Sequence, residues 1–191
     1  QLPYVSGQDE VYKNDNELGI LMLVNAEADY KTQSLQLSSG PMLLEGQEKG
    51  DYTIYLKPEI TLSNVSLNVT HQDLDKRKVF GDLRFRKAMS VAINRQEINE
   101  VALFGQGTPK QYTGFSPMPD FIDKKWESYM IQYDPGMANS LLDQLGMKDT
   151  NGDGARELPN GKKLVINMQF ATQGIDPQIV EMVGQNWAEV G

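Results

Sequence analysis

Apolar side chains recur every three or four positions in several stretches of this chain, the spacing that places them on one face of an α-helix. The strongest stretch runs from Asp82 to Ile93, where Phe85, Ala88, Met89 and Ala92 share a face and Arg84 and Lys87 lie opposite. Asn94 then restarts the chain. With Glu97 it resembles a capping box in which Asn replaces Ser or Thr, and a helix follows through Ile98, Val101, Ala102 and Leu103 to Gly105. Asp134-Pro135 and Asp176-Pro177 each put an N-cap carboxylate before a proline at the first helical position. The first predicts a helix that buries Met137, Ala138, Leu141, Leu142 and Leu145 and ends at Gly146. The second turns Ile179, Val180, Val183, Trp187 and Val190 inward. Nearer the start, Asn16 caps a helix to about Ala26 with Leu18, Leu21, Met22 and Leu23 as its apolar positions, and another helical stretch spans about Met42 to Glu48.

Other segments read as strands. Glu10 to Lys13 is a short one, and Tyr52-Thr53-Ile54-Tyr55-Leu56 is rich in β-formers and ends at Pro58. Val65, Leu67 and Val69 alternate with Ser66, Asn68 and Thr70, the two-residue period of a half-buried strand. Leu164 to Phe170 is a further strand, after a polar turn from Asp149 to Gly161. Between Gly105 and about Tyr133 lies a long connection with glycines, prolines and scattered aromatics, a length that in a folded domain often serves function. The sum is an α/β pattern, a mixed sheet with flanking helices, without repeats or low complexity.

Composition narrows the function classes. The chain has 191 residues, enough for one domain or one lobe of a larger protein, with 39% hydrophobic and 23% charged residues. Its net charge of −8 and pI near 4.7 argue against nucleic acid, whose phosphates require a basic field. The absence of cysteine removes disulfides, thiolate metal sites and a cysteine nucleophile. His71 is the only histidine, so a Ser-His-Asp triad or a zinc site has one imidazole to draw on. The longest apolar run, Ile20 to Val24, is too short to span a bilayer. The Gln1-Leu2-Pro3 start and the Glu189-Val190-Gly191 end read as those of an excised fragment.

Few residues carry candidate chemistry. Arg84 and Arg86 form an anion site or, more simply, solvate a helix and pair with Asp82. Asp149-Thr150-Asn151-Gly152-Asp153-Gly154 has the alternating oxygen donors of a calcium loop, but its twelfth position is Asn160, where a bidentate Glu is required; a plain turn is the simpler reading. Asn64-Val65-Ser66 and Asn68-Val69-Thr70 are glycosylation sequons within a predicted strand. His71 reads as structural, and no two of the many carboxylates stand out as a glycosidase pair. Tyr112, Phe115 and Trp126 of the long connection either plug the core or line a binding cleft.

Several motifs resemble the second lobe of family 5 extracytoplasmic solute-binding proteins, the receptors of peptide and nickel importers. Asp82-Leu83-Arg84-Phe85-Arg86-Lys87-Ala88 through Ala92-Ile93-Asn94-Arg95 is similar to that family's D-x-R-x-R-x-A helix and its A-I-D/N-R/K restart. Gly105-Gln106-Gly107-Thr108-Pro109 resembles a G-x-G-x-P turn. Tyr133-Asp134-Pro135 with Ala138 and Leu141-Leu142 resembles Y-D-P-x-x-A-x-x-L-L. Asn151-Gly152-Asp153-Gly154 and Asn160-Gly161-Lys162 resemble D-G-D-G and D-G-K turns, and Leu2-Pro3-Tyr4-Val5 and Ala26-Glu27-Ala28-Asp29-Tyr30 resemble L-P-Y-I-D and G-E-I-D-Y. Ala26 stands where Gly is usual, and Ser6-Gly7 replaces an acidic residue.

The resemblance implies that residues 1–191 form an incomplete second lobe of a type II periplasmic-binding-protein fold, lacking the first lobe of the same protein. It implies a receptor outside the cytoplasmic membrane, periplasmic or at the cell surface and lipid-anchored in some members. Such a receptor is not an enzyme and uses no cofactor or metal. It would take oligopeptides, nickel chelates or oligosaccharides in an interlobe cleft and deliver them to an ABC permease, with no role for nucleic acid. Asn64 and Ser66, on the family pattern, and Tyr112 and Phe115 are the candidate ligand-binding residues. The alternative from another class is a secreted calcium-binding or carbohydrate-active module.

Overall fold

Asp15 accepts hydrogen bonds from the backbone N–H groups of Glu17 (2.9 Å) and Leu18 (3.3 Å) and so opens helix α1, Asn16–Val24. The cap is thus Asp15, one residue before the Asn16 expected from sequence. The computed structural model describes residues 4–56, 63–112, 118–171 and 175–191. The chain divides into two compact units, Gln1–Lys57 and Pro58–Gly191.

In the first unit, α1 ends in a Schellman turn. The N–H of Ala26 donates to Leu23 O (3.0 Å) and that of Glu27 to Met22 O (2.8 Å), with Ala26 itself at φ 57°. The buried face is Ile20 and Leu23, which meet Leu43 of α2 (Gly40–Glu45), while Leu18 and Leu21 remain exposed. Helix α1 is apolar around much of its circumference, so periodicity alone could not choose its inward side. The short α3 (Gln47–Gly50) follows, and the Tyr52 hydroxyl donates to Leu43 O at 2.5 Å to close the cluster. A Cβ on Gly50 would collide with the Leu23 carbonyl and the Tyr52 ring, so the packing there requires glycine.

The second unit is built on helices α4 (Leu74–Gly81), α5 (Leu83–Val91), α6 (Arg95–Ala102), α7 (Pro135–Gln144) and α8 (Pro177–Ala188). Each start is fixed by a side chain. Asp73 accepts from Asp75 N, Asp82 from Arg84 N, Asp134 from Met137 N and Asp176 from Gln178 N, at 2.8 to 2.9 Å. Asn94 caps α6 by accepting from Glu97 N (3.2 Å), and its amide donates to the Glu97 carboxylate (3.0 Å). The box is closed differently from the usual one, because the Asn94 N–H goes instead to buried Asn186 Oδ1 of α8 (2.9 Å).

Phe85, Ala88, Met89, Val91 and Ala92 pack with Ala138 and Leu142 of α7 and with Ile179, Val183 and Trp187 of α8. Ala88 and Ala138 are fully buried, and their small side chains allow α5 and α7 to form the most extensive helix contact of the unit. Burying Phe85 and Leu142 contributes roughly 1.5–3 kcal/mol each. Gly146, at φ 76°, ends the α7 turn as expected.

The expected sheet is not seen. Among the described residues there is no strand, only isolated antiparallel bridges of Glu157 with Lys148 and with Lys163. Glu10–Lys13, Tyr52–Leu56 and Leu164–Phe170 have no paired strand among the described residues. β-Formers set the conformation of such a segment, but a strand also needs a neighbour, and no backbone N–H from Leu164 to Phe170 has an acceptor among the described residues. The segment Val65–Val69 likewise has no ladder, and it does not bury the predicted face. Leu67 packs on the core, while Val65 and Val69 stay exposed. Asn68 Oδ1 accepts from Thr70 N (3.1 Å) and Thr70 Oγ1 (3.0 Å), which turns the chain before alternation can continue.

Candidate functional site

A helix leaves its last carbonyls without intrahelical partners, and those of α5 are met from three directions. Met89 O accepts the indole N–H of Trp187 (3.0 Å). Ser90 O accepts Ile93 N (3.3 Å) and Arg95 Nη1 (2.8 Å), and Val91 O accepts Asp134 N (2.8 Å). One helix end therefore fixes α8, the first residue of α6 and the cap of α7.

The Ser90 hydroxyl extends this junction to the long connection between α6 and α7. It donates to Met130 O (2.7 Å) and accepts from Arg95 Nη2 (2.9 Å) and Gln111 Nε2 (2.9 Å). Gln111 Nε2 also donates to Tyr129 O (2.9 Å), and Arg95 Nη1 reaches Ile131 O (3.4 Å). The two arms meet directly as well, through Gln111 N to Glu127 O (2.8 Å) and the Lys110–Glu127 ion pair (3.2 Å). Burial pulls the Arg95 guanidinium below its ordinary pKa, and its hydrogen-bond partners Ser90 O, Ser90 Oγ and Ile131 O are neutral oxygens. Ser90, Arg95 and Gln111 were not singled out from sequence. The only legible signal was the A-I-N-R restart, which contains Arg95.

Tyr112 follows Gln111 and is 62% exposed; Trp126, in the 3-10 turn Lys124–Trp126, is 49% exposed. Neither plugs the core of the second unit. Trp126 meets Tyr129 edge-on (5.5 Å between centroids), Lys125 lies 5.3 Å from the Trp126 ring, and Lys87 lies 5.7 Å from that of Tyr129. Phe115 falls outside the described residues. Asn64 and Ser66 are exposed, and neither has a hydrogen bond among the described residues, to Tyr112 or to any other group. A shallow apolar groove lined by Ile166, Met168, Phe170, Pro177 and Val180 runs elsewhere on this unit, beside α8.

Of the remaining charged candidates, Arg84, His71 and the acidic turn are committed to structure, while Arg86 is exposed. Arg84 pairs bidentately with Asp82 (2.7 and 3.1 Å) and donates to Gln144 O (3.0 Å), so it is no free anion ligand. His71 Nδ1 accepts from Asp73 N (3.0 Å), and its ring meets Phe80 edge-on, a structural role. In the acidic turn, Asp149, Asp153 and buried Glu157 each bring a carboxylate oxygen to within 4.8 Å of the others. The twelfth loop position, Asn160, offers no carboxylate, and the third one comes instead from Glu157, which the sequence motif does not mark. Every oxygen of the three carboxylates already accepts. Asp149 takes Gly152 N and Gly154 N, and Asp153 takes Ala155 N and the Lys163 ammonium. Glu157 takes Asn151 Nδ2 and both Thr150 donors. Those backbone donors hold Asp149, and Asp153 with its lysine, below the ordinary carboxylate range. The local physics is that of a self-satisfied turn.

Residues 19–191 match the middle region of the bacterial extracellular solute-binding proteins, family 5. A glutathione-binding protein of Pectobacterium atrosepticum is 30% identical over 75% of this chain and 27% of its own length. A periplasmic alpha-galactoside-binding protein of Rhizobium meliloti is 32% identical over 57% of this chain and 16% of its own. Among solved structures, an oligopeptide-binding protein superposes with a TM-score of 0.66 at 32% identity, covering 94% of this chain and 29% of that one. A periplasmic oligopeptide-binding protein of Thermotoga maritima gives 0.69 at 26% identity, covering 95% and 34%. The chain thus spans about a third or less of the length of these relatives. Their fold is that of the type II binding proteins, and the chain belongs to the family 5 bacterial extracellular solute-binding proteins.

Proposed function

We propose that residues 1–191 are part of the second lobe of an extracytoplasmic receptor that holds an oligopeptide or similar solute in an interlobe cleft and passes it to an ABC permease. The family match over residues 19–191 carries this reading. In such a receptor, closure of two lobes removes the solute from water. Main-chain hydrogen bonds then supply affinity that tolerates varied side chains. No bond is made or broken, so we read the protein as a binding protein and not an enzyme, in keeping with relatives named for what they bind.

Within this lobe, Tyr112 is the favoured solute contact. It pairs exposure with attachment to an anchored backbone, and a rigid amphipathic ring suits a cleft wall. Asn64, Ser66 and Phe115 complete the proposed set on the sequence pattern. An oligosaccharide solute is the second reading, motivated by the alpha-galactoside-binding relative and by a mannohexaose-bound neighbour of TM-score 0.68. Native mass spectrometry of the full-length receptor, purified without added solute, tests both. A co-purifying peptide supports the first and a sugar the second, whereas turnover of a bound compound would overturn the receptor reading.

A further inference from the structure

We propose that Ser90, Arg95 and Gln111 are positioning residues for solute binding: together they pin both arms of the 105–133 connection to the end of α5 and so hold Tyr112 in place. The proposal rests on the reading of Tyr112 as a solute contact.

A serine hydroxyl has one proton to donate and two lone pairs. All three are used at Ser90, each on a different segment: Met130 O on the distal arm, Gln111 on the proximal arm and Arg95 on α6. Gln111 is bound three times over, by its backbone N–H to Glu127 O and by its amide to Ser90 Oγ and Tyr129 O. Tyr112 is the next residue, so its Cα is one peptide unit from this anchor although its side chain is 62% exposed. Arg95 stiffens the same point from below. It spans Ser90 O, Ser90 Oγ and Ile131 O, and its partly buried charge keeps the two carbonyls oriented toward it. A residue whose backbone is already held before solute arrives loses less conformational freedom on binding, which is how such an anchor raises affinity without touching solute.

The experiment uses the full-length receptor with Ser90→Ala, Gln111→Ala, Tyr112→Ala and the Gln111→Ala/Tyr112→Ala double variant. Hydrogen exchange in the solute-free protein is read first. Ser90→Ala and Gln111→Ala should each speed exchange at residues 110–112 and 127–131 about tenfold or more while α5, α7 and α8 keep their protection. Unchanged exchange in both arms would overturn the pinning, whatever the solute. Affinity is then measured with glutathione, tri-alanine and mannohexaose as probes. For a probe the wild type binds, Tyr112→Ala and Gln111→Ala should each weaken binding about tenfold, and the double variant should bind no worse than Tyr112→Ala alone. Fully additive losses would show that Gln111 does not act through Tyr112. If Tyr112→Ala binds as the wild type does, or the wild type binds none of the probes, the underlying reading of Tyr112 fails and the positioning role falls with it. The exchange result separates that failure from a failure of the anchor.

Discussion

The indole N–H of Trp187 donates a 3.0 Å hydrogen bond to the carbonyl of Met89, a buried contact that joins the end of α8 to the end of α5. Met89 O is one of the carbonyls a helix terminus leaves without a partner, so the bond satisfies a group that burial would otherwise penalise. Trp187→Phe keeps an aromatic ring but removes the donor. We expect it to cost about 1–3 kcal/mol, the range for stranding a buried acceptor. Urea unfolding of the receptor measures it, and a change below about 0.5 kcal/mol would show that the carbonyl is otherwise satisfied.

Ala26 is the left-handed residue of a Schellman turn, the position where glycine meets no steric penalty. An alanine held there loses roughly 1–2 kcal/mol, against roughly 0.5–1 kcal/mol of extra chain entropy that a glycine gives up on folding. Ala26→Gly should therefore stabilise the first unit by about 0.5–1 kcal/mol. A lowered melting temperature for this variant would mean that the turn is not populated in solution.

Ala88 has no exposed surface and faces Ala138 and Leu142 across the contact of α5 with α7. Ala88→Leu adds volume where neither helix can retreat, and overpacking of this kind costs about 1–3 kcal/mol. Tyr112→Ala, at an exposed site, should change stability by less than about 0.5 kcal/mol. Equal losses in the two variants would make Tyr112 a packing residue and remove it from the cleft.

The carboxylates of Asp149, Asp153, Asp82 and Asp75 all titrate below their ordinary value of 3.8. For Asp149 and Asp153 the first cause is backbone N–H donation, for Asp82 the Arg84 guanidinium and for Asp75 the Lys162 ammonium. A depressed folded pKa means that the unfolded chain binds the proton more tightly. Their contribution is therefore complete above the ordinary carboxylate range and is lost as pH falls through the depressed values. Urea midpoints should hold near neutrality and decline from about pH 5 downward, and Asp149→Asn should make that decline shallower. A midpoint that rises on acidification would contradict the sign.

Helices α6, α7 and α8 and their caps were legible because each is local: Asn94 with Glu97, Asp134-Pro135 and Asp176-Pro177 carry their own start signals, whereas α4 behind Asp73 went unread and the α1 cap falls on Asp15 instead of Asn16. The inward face of α5 was legible because Arg84 and Lys87 oppose Phe85 and Ala88. Helix α1 was misjudged, with Ile20 buried and Leu18 exposed, because a helix apolar on most sides offers no contrast to read. Strands were expected from β-formers, yet pairing is a long-range property, and neither Val65–Val69 nor Leu164–Phe170 has a partner among the described residues. The Ser90 junction was hidden for the same reason. It joins residues 90, 95, 111 and 130, and a serine within a helix carries no mark of its distant partners.

The acidic turn should not bind calcium with consequence. Calcium takes about six to eight oxygen ligands, and Asp149, Asp153 and Glu157 could offer it converging carboxylates. Each of their oxygens, however, already accepts a hydrogen bond, and the Lys163 ammonium lies 3.2 Å from Asp153 Oδ2. An ion would have to displace that lysine and strip the Thr150 and Asn151 donors from buried Glu157, leaving those donors to find new partners. Millimolar calcium should therefore raise the melting temperature no more than magnesium at equal ionic strength. Glu157→Gln should instead cost about 1–3 kcal/mol with or without calcium, because its amide nitrogen must face the donors of either Thr150 or Asn151. A calcium-specific rise of several degrees that Glu157→Gln abolished would make this turn a metal site.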